Sequence, residues 1–235
     1  MLRISRPLLF SLSSLLFFHS AFAVMQPQTS MVLIEEEKGG GSINVTNTDD
    51  QEELLYVKVI DLDDDKQPQV MVTQPVMRVG AGQTQRVRFV LSSQQPLTVE
   101  HIKRVTFEGL PMVSESAKNA VSISVRQNLP IIIRPRDLPA AANDPWKALV
   151  WSVSGEKMTV NNSTPYVVRL SEDLQLLPGG HKAKIAKGYL LPGETLPVQG
   201  ADAKTLPGVS KVRFETLSQY GYDTGTVDMP VSHGS

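Results

Sequence analysis

The sequence predicts an all-β protein built as two β-sandwich lobes. Short runs rich in Val, Ile and Leu recur along the chain, Gly, Pro, Asp and Gln clusters separate them, and a Pro-rich segment divides them into two similar series. No stretch keeps a helical period, and strands this short at this spacing suit a sandwich.

The chain opens on an export leader. Arg3 and Arg6 precede an apolar stretch over residues 8–18 that runs into Ala21-Phe22-Ala23, an A-x-A cleavage pattern. A membrane-spanning helix needs about 20 apolar residues, whereas this stretch is broken by serines and exits through small residues. Residues 1–23 are therefore expected to be a signal peptide, with an exported mature chain starting at Val24. Without Arg3 and Arg6, the 23 basic side chains fall by two against 24 acidic ones, a formal charge of about −3 that offers nothing to nucleic acid. Cysteine is absent, so packing alone holds this exported chain and thiol chemistry is excluded.

In the first series, strands are expected at 42–45, 54–60, 70–72, 86–91, 102–107 and 121–125, with turns at Gly39-Gly40-Gly41, 61–66 and Gly80-Ala81-Gly82. Pro135, Pro139 and Pro145 then deny donors to any continuing sheet, so the segment 131–145 is expected to hold the boundary, giving lobes at 24–138 and 139–235. The second series is expected at 149–153, 157–161, 166–170, 182–186, 195–198, 209–215 and 226–230. Two sandwiches joined by a short Pro-rich bend make a bent molecule with a cleft between its lobes.

The stretch 119–135 carries the functional signal. Val121, Ile123 and Val125 alternate with Ser122 and Ser124, so one strand face is apolar and the other small and polar. Such alternation alone describes an ordinary half-buried strand. Its place just before the bend, with Pro130 expected to interrupt the ladder, points instead to an edge. An exposed apolar edge is a hazard that soluble proteins suppress, so its retention implies a partner that pairs with it.

Several motifs in order now give a resemblance: Phe107-Glu108-Gly109-Leu110-Pro111, the alternating strand, Arg134-Pro135, Gln74-Pro75 followed by a Gly turn and Val87-Arg88, Asn162-Ser163-Thr164-Pro165-Tyr166, Leu191-Pro192-Gly193, and Ser218-Gln219-Tyr220-Gly221. Together they resemble the PapD-like periplasmic pilus chaperones over nearly the whole mature chain. The resemblance implies two immunoglobulin-like sandwiches in a boomerang and no enzyme activity or cofactor. It also implies a strand lent to incomplete pilus subunits, pilins and tip adhesin alike, until an outer-membrane usher exchanges it. Val121, Ile123 and Val125 match the donor side chains. The usual Arg and Lys anchors for the subunit's terminal carboxylate are replaced by Ser30 and Pro130. Arg104 and Arg126 match positions used in non-classical (archaic or alternative) branches, and are expected to hold that carboxylate together through bidentate guanidinium contacts. Arg134 matches an interdomain cation whose partners here would be Glu100 and, in place of an Asp, Gln219.

Competing readings find less support. There is no G-x-S-x-G elbow, H-E-x-x-H pair or Walker loop, and His101, His181 and His233 lack ligand spacing, so each is expected at the surface or in a loop and no metal is expected. Asp63-Asp64-Asp65 lacks the Gly and distant Glu of a calcium loop and is expected to be a solvated turn. A pilin would carry an alternating apolar N-terminal extension, whereas residues 24–30 are polar. Dimerisation of the free chain through the exposed edge is a further expectation.

Overall fold

The computed structural model describes residues 25–111, 124–218 and 222–234. The first lobe contains β1 (Met25–Pro27), β2 (Val32–Glu35), β3 (Gly40–Asn47), β4 (Glu53–Ile60), β5 (Gln69–Val72), β6 (Val76–Val79), β7 (Thr84–Ser92), β8 (His101–Pro111) and β9 (Arg126–Arg134). They follow the order β5-β7-β3-β2-β9-β8-β4-β6, with β1 on β3, and curl around one core. Alternation sets the inward face: Leu55 and Val57 of β4, Val105 and Phe107 of β8 and Ile131 and Ile133 of β9 are all fully buried.

The second lobe contains β10 (Leu149–Ser154), β11 (Lys157–Asn162), β12 (Val168–Leu177), β13 (His181–Lys184), β14 (Tyr189–Leu190), β15 (Thr195–Pro197), β16 (Lys211–Leu217) and β17 (Asp223–His233). Their order is β13-β12-β16-β17-β10-β11-β15, with β14 on β12, around a separate core centred on Trp151, Leu170, Leu176 and Phe214. The all-β, two-domain expectation holds.

Several local expectations are corrected. Only Gly39 of the glycine triplet takes a left-handed turn conformation (φ 65°); Gly40 and Gly41 lie in β3. A Cβ on Gly41 would stand 2.3 Å from the Leu33 carbonyl oxygen, so the missing side chain lets β2 run close by as it leaves β3 for β9. The run 131–134, expected to begin the linker, is the buried end of β9, apolar on both faces because Ile131 and Ile133 face the core and Ile132 faces the other lobe. The ladder passes through Pro130 without a break, from Glu108↔Arg126 to His101↔Ile133. Of the strand expected at 121–125, residues 121–123 lie outside the described residues, and Ser124 and Val125 precede the strand that starts at Arg126.

Side-chain amides brace the turns in both lobes. Asn47, fully buried, donates from Nδ2 to the carbonyls of Gln51 (2.8 Å) and Val79 (2.9 Å). Asn162, also fully buried, donates to the carbonyls of Tyr166 (2.8 Å) and Leu191 (3.0 Å), while its Oδ1 accepts the Thr164 N–H (3.1 Å) and hydroxyl (2.7 Å). It thereby fixes the loop that meets the first lobe. Asn162→Ala leaves those buried carbonyls unpaired and is expected to cost about 2–3 kcal/mol. Urea unfolding followed by tryptophan fluorescence checks this, since Trp146 and Trp151, the chain's 2 tryptophans, both report on the second lobe.

Candidate functional site

The two edges of β9 are not equally covered. β8 pairs with one edge from Arg126 to Ile133, whereas β2 pairs, in parallel, with the other only from Ile131 to Arg134. Residues 126–130 therefore have no strand on that side among the described residues. Leu129, Ile131 and Ile133 face the core of the first lobe. Val125 shares their odd-numbered parity but precedes the strand and is 37% exposed, so the apolar row passes from the core into the open. Val121 and Ile123, which would continue it, lie outside the described residues.

On the opposite face of this strand pair, Arg126 and Arg104 do not meet. Arg126 stands opposite Glu108 and Arg104 opposite Pro130, four residues along β8, or about 13 Å at the usual strand rise. Arg126 donates from Nε (2.9 Å) and Nη2 (2.7 Å) to Glu108 Oε2, an exposed pair that holds the Glu108 carboxyl below its ordinary range. Arg104 donates to Asn128, from Nε to Oδ1 (2.9 Å) and from Nη2 to the backbone carbonyl (2.8 Å). In the free chain each guanidinium thus has its own acceptor, and the structure does not bring the two expected anchor residues together. Burial lowers the Arg104 guanidinium from its ordinary pKa, and the nearby Tyr189 opposes that shift.

A crevice between the lobes is lined by Met31, Glu100, Ile132, Arg134, Val167 and Arg169. Glu100, 4% exposed, links the lobes: its N–H donates to the Pro165 carbonyl (2.9 Å) and its Oε2 accepts the Val167 N–H (3.1 Å). Arg134 Nε lies 3.5 Å from Glu100 Oε1, an ion pair too long for a hydrogen bond, and Nε has no other partner among the described residues. Gln219, the other expected member of this bridge, lies outside the described residues. Burial pushes the Glu100 carboxyl up, against the lowering effects of the Val167 N–H and Arg134. An apolar seam of Met31, Ile102, Ile132 and Val167 closes the base of the crevice.

The acidic turn is a fastening point between the lobes as well as a turn. Asp64 accepts from Lys187 and from the Tyr189 hydroxyl (3.1 Å), and Lys187 also pairs with Glu194 (2.7 Å) and lies 4.4 Å above the Tyr189 ring. Asp65 is buried, with His101 Nδ1 and the Ile102 N–H each 2.7 Å from its oxygens. Asp63 and Asp64 keep the exposure expected of a solvated turn, whereas Asp65 is buried and His101 is half-buried on β8, because β8 runs beneath this loop.

Sequence reasoning missed Arg169. It lies in β12 directly opposite Tyr189 of β14, and lines the crevice with Glu100, Arg134 and Val167. Its Nη1 is buried with no hydrogen-bond partner among the described residues. Burial, and then the charge of Arg104, lower its pKa from the ordinary guanidinium value. A lone Arg between Val167-Val168 and Leu170 was the available signal.

Family models match both lobes: the pili and flagellar-assembly chaperone PapD N-terminal domain over residues 24–139, and the pili assembly chaperone PapD C-terminal domain over 144–226. The chain belongs to the PapD pilus-assembly chaperone family. This chaperone family is not enzymatic. A fimbrial chaperone of Escherichia coli K12, YhcA, is 41% identical over 199 residues, covering 84% of this chain and 86% of its own. In fold, the chaperone is similar to a chain of the Salmonella enterica complex of the SafA pilin with the SafB chaperone, at 18% identity and TM-score 0.70 over 90% of this chain and 98% of that one. It is likewise similar to a chain of the CsuC–CsuE chaperone–tip adhesion subunit pre-assembly complex from the archaic Csu pili of Acinetobacter baumannii, at 18% identity and TM-score 0.61 over 91% and 100%. Among the described residues, no helix is long and apolar enough to cross a membrane.

Proposed function

We propose that this chaperone works in the periplasm by lending β9 and the residues before it to pilus subunits, which it then passes to an outer-membrane usher. The carrying observation is the uncovered edge of β9 over residues 126–130, continued by an apolar row that leaves the core at Val125. Main-chain groups along that edge supply affinity, and Val121, Ile123 and Val125 fill the subunit's open groove. In the free chain, a second copy covering the same edge is the corresponding route to a dimer. The reading takes residues 24–138 as the lending lobe and 139–235 as the lobe that completes the crevice.

The direction of the bound strand follows from the edge. A strand lying against residues 126–130 must stop near Pro130, because β2 occupies the same edge from Ile131 onward. Arg104 stands opposite Pro130. A cation there attracts a carboxylate and repels an ammonium, so the bound strand ends on its C-terminus and runs parallel to β9, as β2 does. Arg126, held by Glu108, flanks its path further back. This arrangement, with Ser30 and Pro130 in place of the usual cations, supports a non-classical branch.

Val125→Asp places a charge in the lent row without disturbing the core of either lobe. Co-expressed with its cognate pilin-like subunit, the variant is expected to lower the recovered 1:1 complex at least about tenfold, the consequence of burying one unpaired carboxylate. Recovery equal to wild type, with the chaperone itself folded, overturns the lent-strand reading.

A further inference from the structure

From the geometry of the crevice we infer that Arg169, reaching from the second lobe, is the partner of Arg104 in gripping the subunit's terminal carboxylate. This rests on the lent-strand reading and names the group that completes its anchor. Three placements bring the residues together. Arg104 marks the level at which β2 ends the open edge, so the terminus of a bound strand arrives beside it. Arg169 and Tyr189 are cross-strand partners at the mouth of the crevice. Tyr189 is tied by its hydroxyl to Asp64, in the loop that leads from β4 toward β5 in the first lobe.

The charge balance of this region is incomplete. Arg134 and Arg169 line the crevice, the charge of Arg104 is felt at Arg169, and Glu100 is the buried carboxylate among the lining residues. Glu100 is occupied by Val167 and Arg134. Arg104 spends Nε and Nη2 on Asn128 and Arg169 leaves Nη1 without a partner, so both retain donors for an incoming anion. Two like-charged guanidinium groups held near one another in a half-buried crevice repel until an anion lies between them, and a carboxylate with two oxygens matches their planar forks. Of the other acidic groups at Tyr189, Asp64 and Glu194 are held by Lys187, and the buried Asp65 is taken by His101 and the Ile102 N–H.

One consequence is that the anchor draws on both lobes. A subunit bound through Arg104 alone would touch only the first lobe at its terminus. With Arg169 engaged, binding also fastens the second lobe across the crevice, so the interlobe geometry becomes part of the affinity.

The test uses the intact mature chaperone and a synthetic peptide carrying the last twelve residues of its cognate pilin-like subunit, made with a free or an amidated C-terminus. Fluorescence anisotropy is expected to give wild type about a tenfold preference for the free acid, the scale of one lost charge-assisted contact. In Arg169→Leu the two peptides are expected to bind within about twofold of each other, as in Arg104→Leu, and Arg169→Lys is expected to fall between. A full acid preference in Arg169→Leu overturns the role of Arg169, and equal binding of acid and amide by wild type overturns the clamp. Binding of neither peptide by wild type, together with no complex on co-expression, overturns the lent-strand reading itself. Thermal unfolding separates a structural role. Because Arg169 lacks an acidic partner among the described residues, Arg169→Leu is expected to melt at or above the wild-type temperature, and a melt several degrees lower would assign Arg169 to the fold instead.

Discussion

Glu100→Ala is expected to lower the stability of the chaperone by about 2–3 kcal/mol, somewhat less than the usual loss when one member of a buried ion pair is removed. The substitution strips the Val167 N–H of its acceptor and Arg134 of its counter-charge. The loss stays below the full figure because burial already holds the carboxyl above its ordinary pKa, so its charged form is only partly compensated. Glu100→Gln keeps an acceptor for Val167 and drops the charge, and is expected to stay within about 1 kcal/mol of wild type at neutral pH. The same shift sets a sign. A carboxyl whose folded pKa is raised binds its proton more tightly in the folded state. Its contribution therefore falls as pH rises from the ordinary carboxylate value through the raised one, and is constant below both. Urea midpoints measured between about pH 4 and 8 check this: the difference between wild type and Glu100→Gln isolates the residue and should move against wild type as pH increases. A difference that moves the other way would mean that Arg134 outweighs burial.

Trp151→Ala is expected to cost about 3–5 kcal/mol and to unfold the second lobe at a markedly lower temperature. Trp151 is the largest fully buried side chain, and its ring centroid lies 5.4 Å from that of Phe214 in a tilted contact. Its indole N–H has no partner among the described residues. Trp151→Phe keeps most of the apolar area and removes the unpaired donor, so it is expected to lose about 1 kcal/mol or less. Circular dichroism across both lobes, together with the fluorescence of the remaining Trp146, separates loss of the second lobe from loss of the whole chain.

Much of the fold was legible because period-2 alternation survives in this chain. Leu55 and Val57, or Val105 and Phe107, read as inward pairs and are buried as such. Strands of three or four residues, β1, β2 and β6, offered too little alternation to register. β9 was obscured for a different reason: its Ile run is buried on both faces and so does not alternate, and Pro130 suggested a break that the ladder accommodates. Most candidate site residues could be named from family motifs, but Arg169 and the way the fold groups them could not. Arg104 and Arg126 are near in type and motif yet four residues apart along one strand pair, whereas Arg104 and Arg169 come from different lobes 65 positions apart in sequence. Asp64 and Asp65 read as solvent-loving because nothing local reveals the Lys187, Tyr189 and His101 that meet them.

The place where β2 takes over the edge of β9 has a consequence for which subunits fit. Because Val32 stands beside Ile131, an added strand has a wall at one end and cannot slide. With β9 lent as proposed, a wall and a cation at that end would make it a counting device, in which each subunit side chain is identified by its number of residues from the terminus. Adding or removing one terminal residue turns every apolar side chain of the subunit strand to the wrong face, whereas a change of two restores the facing and only shifts the pockets. Selection among subunits by this chaperone is then a matter of even and odd as much as of shape.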